Sequence, residues 1–161
     1  MMKQLIVGID PGLSGALAIL DHDDVLLLED LPTVQFSDAR IKHRLDGVGL
    51  TAMLKPYAVD VLLAIVEKVA ARPGEAPSGA FSFGYSSGDI AGVLGALQIP
   101  ITTVQPAVWK KAMGLGSSKD LSRARALELF PAMADKLARK KDHDRAEALL
   151  MAEWGRRHRT W

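Results

Sequence analysis

The chain has 161 residues, of which 48% are hydrophobic and 24% charged, and a formal net charge of +1. This composition is typical of a soluble globular protein, and the length suits one domain, which we expect to span residues 1–161. No apolar run approaches the ~20 residues of a membrane span, and the N-terminal residues make a poor secretory signal. The absence of cysteine excludes disulfides and thiolate metal sites. We therefore expect a cytoplasmic protein without a membrane partner.

Five apolar runs predict strands. They cover residues 3–9, 15–20, 25–28, 59–67 and 99–104. The turns between the first three runs are short, which implies that these strands are antiparallel neighbours. The fourth run is apolar without alternation, as is typical of a strand that is buried on both faces.

Helical patterns alternate with the later strands. We expect irregular segments at 35–45, 71–85 and 114–118, and helices at 46–57, 86–98, 106–113, 119–130 and 144–158. Three antiparallel strands followed by strand–helix alternation predict a mixed sheet covered by helices. The expected fold class is therefore α/β, with a mixed five-stranded sheet flanked by helices.

The small net charge conceals an asymmetry between the two parts of the chain. Residues 1–100 carry seven Lys and Arg against twelve Asp and Glu, whereas residues 101–161 carry thirteen against seven. Such a one-ended basic excess indicates an anionic partner, with nucleic acid as the first candidate. The alternative is a set of solvated helix faces that bind nothing.

Acidic residues follow two of the buried strands. Asp10 comes at the end of the first strand and Glu67 at the end of the fourth, and ligands in open α/β sheets gather beyond such strand ends. Asp144 and Glu147 share one face of a helical turn, with Asp142 just upstream. Several carboxylates that converge on one point raise each other's pKa unless cations lie between them. Oxygen ligands select Mg²⁺ or Mn²⁺, and two such ions can activate water against a phosphodiester.

Each of these acids also has a purely structural interpretation. Asp10 stands before Pro-Gly and can open a turn. Glu67 can end a strand in solvent. The segment "DRAE" matches a capping box, with Asp144 as the N-cap and Glu147 reaching back to it.

Four segments together resemble one family. "GIDPGLSGALAIL", "AIVEKVAA", "GLGSSK" and "DHDRAEALLMA", in this order and at these spacings, are similar to the RuvC-type Holliday-junction resolvases of the ribonuclease H-like superfamily. The likeness covers nearly the whole chain. The shortness of the chain and its divergence from the family favour the phage-borne branch, in a bacterial or phage-infected cell. The likeness implies a ribonuclease H-like fold and a homodimeric endonuclease that uses Mg²⁺ or Mn²⁺, two ions per site, to cut four-way DNA junctions by paired nicks. The metal ligands that it implies are Asp10, Glu67, Asp144 and Glu147.

The chain departs from the family pattern at two positions. The last ligand of the family is usually aspartate, whereas Glu147 is one methylene longer, and Asp142 offers a substitute. The family also places a phenylalanine that stacks on junction bases three residues after the strand-end glutamate, where this chain has Ala70. Three aromatic residues further along, Phe81, Phe83 and Tyr85, are candidates for that stacking role, although burial against a neighbouring helix is the alternative.

Basic residues near the predicted site complete the set of candidates. Lys119, after "GLGSS", matches a basic residue that the family places near the scissile phosphate, where a lysine stabilises charge that develops in the transition state. We expect Lys110, Lys111, Arg123 and Arg125 to contact the flanking DNA backbone.

Other functions are consistent with the same residues. One is a different ribonuclease H-like nuclease that acts on branched or flapped DNA or on RNA–DNA hybrids. Another is a catalytically inactive junction-binding protein. The first motif also resembles the first phosphate loop of actin-like ATPases and sugar kinases, but those proteins need two such domains and a second phosphate loop, which 161 residues do not provide.

Overall fold

Seven strands and five α-helices lie in the residues that the computed structural model describes, which are 4–22, 24–35, 43–68, 70, 73–116 and 119–158. The strands are β1 (Leu5–Asp10), β2 (Ala16–Leu20), β3 (Val25–Asp30), β4 (Thr33–Gln35), β5 (His43–Leu45), β6 (Val61–Glu67) and β7 (Ile101–Val104). The helices are α1 (Gly47–Leu54), α2 (Pro77–Ala96), α3 (Pro106–Ala112), α4 (Lys119–Leu129) and α5 (His143–Arg157). Three 3₁₀ turns, Pro131–Met133, Asp135–Leu137 and Lys140–Asp142, lie between α4 and α5.

The main sheet contains five strands in the order β3-β2-β1-β6-β7. β2 runs antiparallel to both β1 and β3, whereas β6 runs parallel to both β1 and β7. β4 and β5 form a separate antiparallel pair. The predicted α/β class, with a mixed five-stranded sheet flanked by helices, is confirmed.

Side-chain alternation along β1 divides the core into two halves. Val7 and Ile9 lie in the half that α1 and α2 cover, whereas Ile6 lies in the half that α5 covers. Since successive side chains of a strand point to opposite faces, Gly8 and Asp10 share the face of Ile6. The acidic end of β1 therefore lies on the α5 side of the sheet.

Gly8 permits α5 to lie close to the sheet. A Cβ atom on Gly8 would lie 2.1 Å from the carbonyl oxygen of Ala148 and 2.6 Å from the amide nitrogen of Ala152. Only glycine allows two backbones to approach so closely. This contact brings the first turns of α5 to the carboxyl end of β1.

The loop predicted over 71–85 is wrong for its second half, because α2 begins at Pro77. Proline is tolerated in the first turn of a helix, and α2 buries a stripe that includes Ser86 and Ile90. The Gly, Pro and Ser residues of 71–85 suggested a loop, but within α2 an added Cβ at Gly84, Gly88, Gly92 or Gly95 would meet nothing within 4 Å. The aromatic candidates Phe81 and Phe83 consequently lie on a helix.

Two further segments differ from the expectation or lie partly outside the described residues. Residues 35–45 were expected to be irregular, yet their ends belong to the β4–β5 pair, and 36–42 lie outside the described part of the chain. In the loop expected over 114–118, residues 117 and 118 also lie outside it. Within the described ranges, no helix is long and apolar enough to cross a membrane.

Candidate active site

One cavity at the carboxyl ends of β1 and β6 is lined by five acidic side chains, four of which the sequence singled out. The cavity has a volume of about 570 Å³ and is bordered by α2, α3 and α5. Asp10 ends β1, Glu67 ends β6, and both Asp144 and Glu147 lie in the first turns of α5. The structure thus brings together the four acids that the sequence singled out.

Asp10 is buried among the other three acids, with 8% of its surface exposed. Burial raises the pKa of its carboxyl well above the ordinary value, and the neighbouring negative charges raise it further. Those charges belong to Asp144, Glu67 and Glu147, and a hydrogen bond with Asp144 acts in the same direction. A role in opening a turn does not explain this convergence of charge, which calls for a proton or a cation in the cavity.

Glu67 receives a hydrogen bond from a buried tryptophan. The indole Nε1–H of Trp109, on α3, donates to Glu67 Oε2 at 2.9 Å. Because Trp109 is fully buried, its ring and its single polar atom are held in place by the surrounding core. Glu67 is therefore not a strand-end residue that is surrounded by solvent alone.

Glu147 is buried and has two partners on the same oxygen. The hydroxyl of Ser122, on α4, donates to Glu147 Oε1 at 3.1 Å. The ammonium nitrogen of Lys110, on α3, lies 3.0 Å from that oxygen. These contacts direct the Glu147 side chain towards the cavity rather than back along its own helix.

The capping-box interpretation of "DRAE" is wrong. α5 begins at His143, so Asp144 lies inside the helix, and no side chain caps its N-terminus. Asp144 instead contacts its neighbour in the chain, since His143 Nε2 lies 2.7 Å from Asp144 Oδ1. Asp144 also lines the same cavity as Asp10, so α5 and β1 each bring a carboxylate to it.

Asp142 is occupied elsewhere and does not line the cavity. Its carboxylate accepts a hydrogen bond from the backbone N–H of Arg139 at 2.8 Å and another from the guanidinium Nη2 at 2.8 Å. Burial acts to raise the pKa of Asp142, but these bonds and the charge of Arg139 outweigh it and lower the pKa below the ordinary value. Of the two candidates for the last acidic position, Glu147 is the one that faces the other acids.

The predicted DNA-contacting cations occupy different surroundings. Lys110 lines the cavity, and Lys111 is exposed on the same helix. The Arg123 guanidinium donates to two carbonyl oxygens of the segment between α4 and α5, each at 3.1 Å, and Arg125 pairs with a glutamate one turn later at 2.8 Å. Lys119 is the first residue of α4, and its side chain lies outside the described part of the structure.

Two of the aromatic candidates, Phe81 and Phe83, lie on different faces of α2. Phe83 lines the acidic cavity and lies over the turn after β1, where a Cβ on Gly12 would come within 3.2 Å of its ring. Phe81 is 65% exposed and pairs with Tyr85, with 6.3 Å between the ring centroids. Only Phe83 is a wall of the cavity, whereas Phe81 is free to meet a partner.

Sequence reasoning missed several residues of the site. Glu75, just before α2, also lines the cavity, and Trp109 and Ser122 contact the acids directly. Nothing in the local pattern indicated Ser122, a small residue among the charged and apolar residues of α4. A tryptophan beside two lysines in a short helix was the one available signal, because a buried indole needs an acceptor.

The predicted Mg²⁺ or Mn²⁺ site agrees with the donor chemistry of the cavity. Among the described residues, no three His, Asp and Glu side chains form a group that could hold an ion as they stand. The donors are nonetheless carboxylate oxygens, which these hard cations prefer. The raised pKa of Asp10 is what such a set of acids shows before a cation neutralises it. The residues therefore fit divalent cations.

The sheet order and the acid-lined cavity at its strand ends define a class, the ribonuclease H-like α/β fold of the RuvC type. A solved structure of Thermus thermophilus RuvC in complex with Holliday junction substrate matches with a TM-score of 0.56 and 13% identity, over 95% of each chain. A second T. thermophilus RuvC structure covers the same shares with a TM-score of 0.49 and 13% identity. At this identity the first likeness establishes the fold alone, and the predicted fold is confirmed.

A sequence relative carries the name of a Holliday junction resolvase. The chain is 35% identical over 95 residues to the protein named "Holliday junction resolvase MOC1, chloroplastic" of Chlamydomonas reinhardtii. The matched region covers 58% of this chain and 11% of that protein. No protein-family model matches the chain. The resemblance to RuvC-type resolvases is confirmed, but an origin in a bacterial or phage-infected cell finds no support in a chloroplastic relative.

Proposed function

We propose that this chain is a metal-dependent, structure-selective DNA endonuclease that resolves four-way junctions by paired nicks. The observation that carries the proposal is the convergence of four acids on one cavity, with the pKa of Asp10 raised by its burial and by the charges of the other three. The RuvC fold and the name of the curated relative support the same reaction. We treat residues 1–161 as a single nuclease domain.

The residues that would hold two Mg²⁺ or Mn²⁺ ions are Asp10, Glu67, Asp144 and Glu147. When bound, such ions supply an activated water and stabilise the leaving oxygen of a phosphodiester. The protein holds two of these carboxylates by hydrogen bonds, Glu67 from Trp109 and Glu147 from Ser122. Glu67 is carried by β6 and Glu147 by α5.

Lys110 and Lys119 are the cations that we place nearest to the scissile phosphate. The Lys110 ammonium lies in the cavity beside Glu147, where a fixed positive charge stabilises the oxyanion of the transition state. Lys111 extends this charge to the flanking DNA backbone. Arg123 and Arg125 would contact the DNA backbone nearby. Each also binds a carbonyl or carboxylate group of the protein itself.

A homodimer is the assembly that the proposed reaction requires. One cavity makes one nick, whereas a four-way junction is resolved by two nicks on opposed strands. An isologous C2 dimer places two equivalent cavities against a substrate of roughly the same symmetry. Phe81, being exposed, is the better candidate for insertion at the branch point, and Phe83 for contacts inside the cavity.

The test compares labelled substrates side by side: a four-way junction, a flap, an RNA–DNA hybrid and a linear duplex, each with Mg²⁺. We expect cleavage of the junction at symmetrically related positions and little cleavage of the linear duplex. Preferential cleavage of flaps or hybrids would favour another ribonuclease H-like nuclease. Tight junction binding without cleavage in either metal would favour an inactive junction-binding protein.

A further inference from the structure

Trp109 directs its single polar atom at the acidic cavity. Its side chain is fully buried in the core beneath α5, in the same cluster as Met113. The indole N–H donates to Glu67 Oε2 at 2.9 Å. A buried tryptophan needs one acceptor for this group, and here the acceptor is a cavity carboxylate rather than a backbone oxygen.

The backbone near Trp109 restricts the position of this hydrogen bond. Val104, the last residue of β7, is the partner of Glu67 in the sheet, and its carbonyl oxygen accepts a hydrogen bond from the N–H of Lys68 at 2.7 Å. α3 begins two residues later, at Pro106. A short and hydrogen-bonded path therefore connects the indole to the strand end whose carboxylate it contacts.

The next residue of α3, Lys110, contacts a second carboxylate of the cavity. Lys110 Nζ lies 3.0 Å from Glu147 Oε1 and 5.2 Å from the centroid of the Trp109 ring. Two consecutive residues of one short helix thus contact carboxylates carried by β6 and by α5. α3 therefore contacts the acidic residues of both β6 and α5 at the cavity.

We infer that Trp109 is a positioning residue, whose N–H fixes the orientation of the Glu67 carboxylate for divalent-cation binding. The inference rests on the proposed function, since the orientation matters to a cation only if Glu67 is a ligand. A hydrogen bond to a charged carboxylate is stronger than one between neutral groups. Loss of a partner that orients a metal ligand typically weakens metal affinity or activity by about 10–100-fold.

The first measurement tests the contact itself and requires no cleavage. The chain has three tryptophans, so a ¹H–¹⁵N spectrum shows three indole signals, and Trp109→Phe identifies the one that belongs to residue 109. We expect Glu67→Gln to shift that signal and to leave the Trp154 signal in place. A Trp109 signal that does not respond to Glu67→Gln would overturn the inference.

The second measurement tests the effect on the cation. Trp109→Phe removes the N–H, and Trp154→Phe makes the same change at the far end of α5, where the ring stacks on His158. We expect Trp109→Phe to weaken Mn²⁺ binding to the protein alone, measured by titration calorimetry, by about tenfold or more. Affinity for a four-way junction in Ca²⁺ should change less than about twofold, because it comes mainly from phosphate contacts. Trp154→Phe should leave both unchanged.

A third variant covers the case in which Trp109→Phe does not fold. Benzothienylalanine at position 109 keeps the ring size of tryptophan and lacks the N–H, so it should weaken Mn²⁺ binding in the same way. Mn²⁺ affinity equal to that of Trp154→Phe, in whichever of the two variants folds, would overturn the inference. Failure of the wild-type protein to cut junctions would overturn the proposed function instead, and the two failures are therefore distinguishable.

Discussion

Asp10, at the end of β1, and Asp144, in the first turn of α5, bring their carboxyl groups into one cavity. Two carboxyl groups that lie close together out of water repel each other unless one of them carries a proton or they share a cation. Gly8 makes this approach possible, because it allows α5 to lie against β1. The pair therefore marks the point where the sheet and the helix create a site for positive charge.

The first prediction concerns Asp10→Asn. The pKa of Asp10 is raised above its ordinary value of 3.8, so the folded state binds more protons than the unfolded state. Its contribution to stability is therefore complete below the ordinary pKa and is lost as the pH rises through the folded-state value. At neutral pH without divalent cations, the neutral Asn should raise Tm, and each ~1 kcal/mol gained corresponds to about 2–4 °C for a chain of this size.

Thermal melts of both proteins between pH 4 and pH 8 check this prediction. The Tm difference between Asp10→Asn and the wild type should grow with pH, and Mg²⁺ should stabilise only the wild type. The same variant should bind junctions and fail to cut them. A variant that is less stable than the wild type at neutral pH would contradict the account of Asp10.

The second prediction separates the two candidates for the last acidic position. Glu147→Gln should reduce cleavage by more than the ~10–100-fold that is typical of losing a partner of a metal ligand. Asp142→Asn should retain cleavage but lower the free energy of unfolding by about 1 kcal/mol, because it weakens the part-buried bonds to Arg139. Single-turnover cleavage and urea unfolding of both variants provide the comparison. An inactive Asp142→Asn beside an active Glu147→Gln would show that the fourth ligand is misassigned.

The residues of the candidate site that could be predicted from the sequence are those with a local signal. Asp10 and Glu67 each end an apolar strand, and Asp144 and Glu147 have helical spacing, so short-range pattern was sufficient to find them. The bond from Trp109 to Glu67 spans 42 residues of chain, and it exists only because α3 packs beneath α5. No local rule gives such a contact.

Two other features needed tertiary information for a different reason. α2 begins nine residues earlier than the helix expected from residue 86, because burial of one face outweighs the weak helix propensity of its glycines. The choice between Asp142 and Glu147 depends on Arg139, whose side chain engages Asp142 just before α5. Charge and spacing alone left both acids available.

The third prediction concerns Phe81, the more exposed of the candidates Phe81 and Phe83. Phe81→Ala should leave stability within about 0.5 kcal/mol, since the side chain is largely exposed. It should nonetheless weaken junction binding by about 1–3 kcal/mol, the value of one base–aromatic stack. Val59→Ala is the matched control, because Val59 is 85% exposed and precedes the start of β6, whereas the cavity lies at the other end of that strand. Equal junction affinities for the two variants, measured at one salt concentration, would exclude Phe81 from the branch point.

The fourth prediction tests the close packing of α5 on β1. Gly8→Ala places a Cβ 2.1 Å from a backbone oxygen, so it should lower the free energy of unfolding by several kcal/mol, above the ~1–3 kcal/mol of ordinary overpacking. Gly92→Ala, on α2, meets nothing within 4 Å and should be neutral or stabilising by up to ~1 kcal/mol. Urea unfolding of the two variants gives both values. A mild effect at Gly8 would show that the spacing of sheet and helix is not tightly constrained.

The most direct test of the central claim is the cleavage of a supercoiled plasmid that extrudes a cruciform. Two nicks made within one binding event convert the plasmid to linear DNA, whereas independent single nicks give relaxed circles first. We predict linear product from the outset in Mg²⁺, with nicks that DNA ligase can seal. Light scattering should show that the protein is a dimer. Relaxed circles that accumulate before linear DNA, or equal cleavage of a plasmid without the cruciform, would contradict junction resolution by paired nicks.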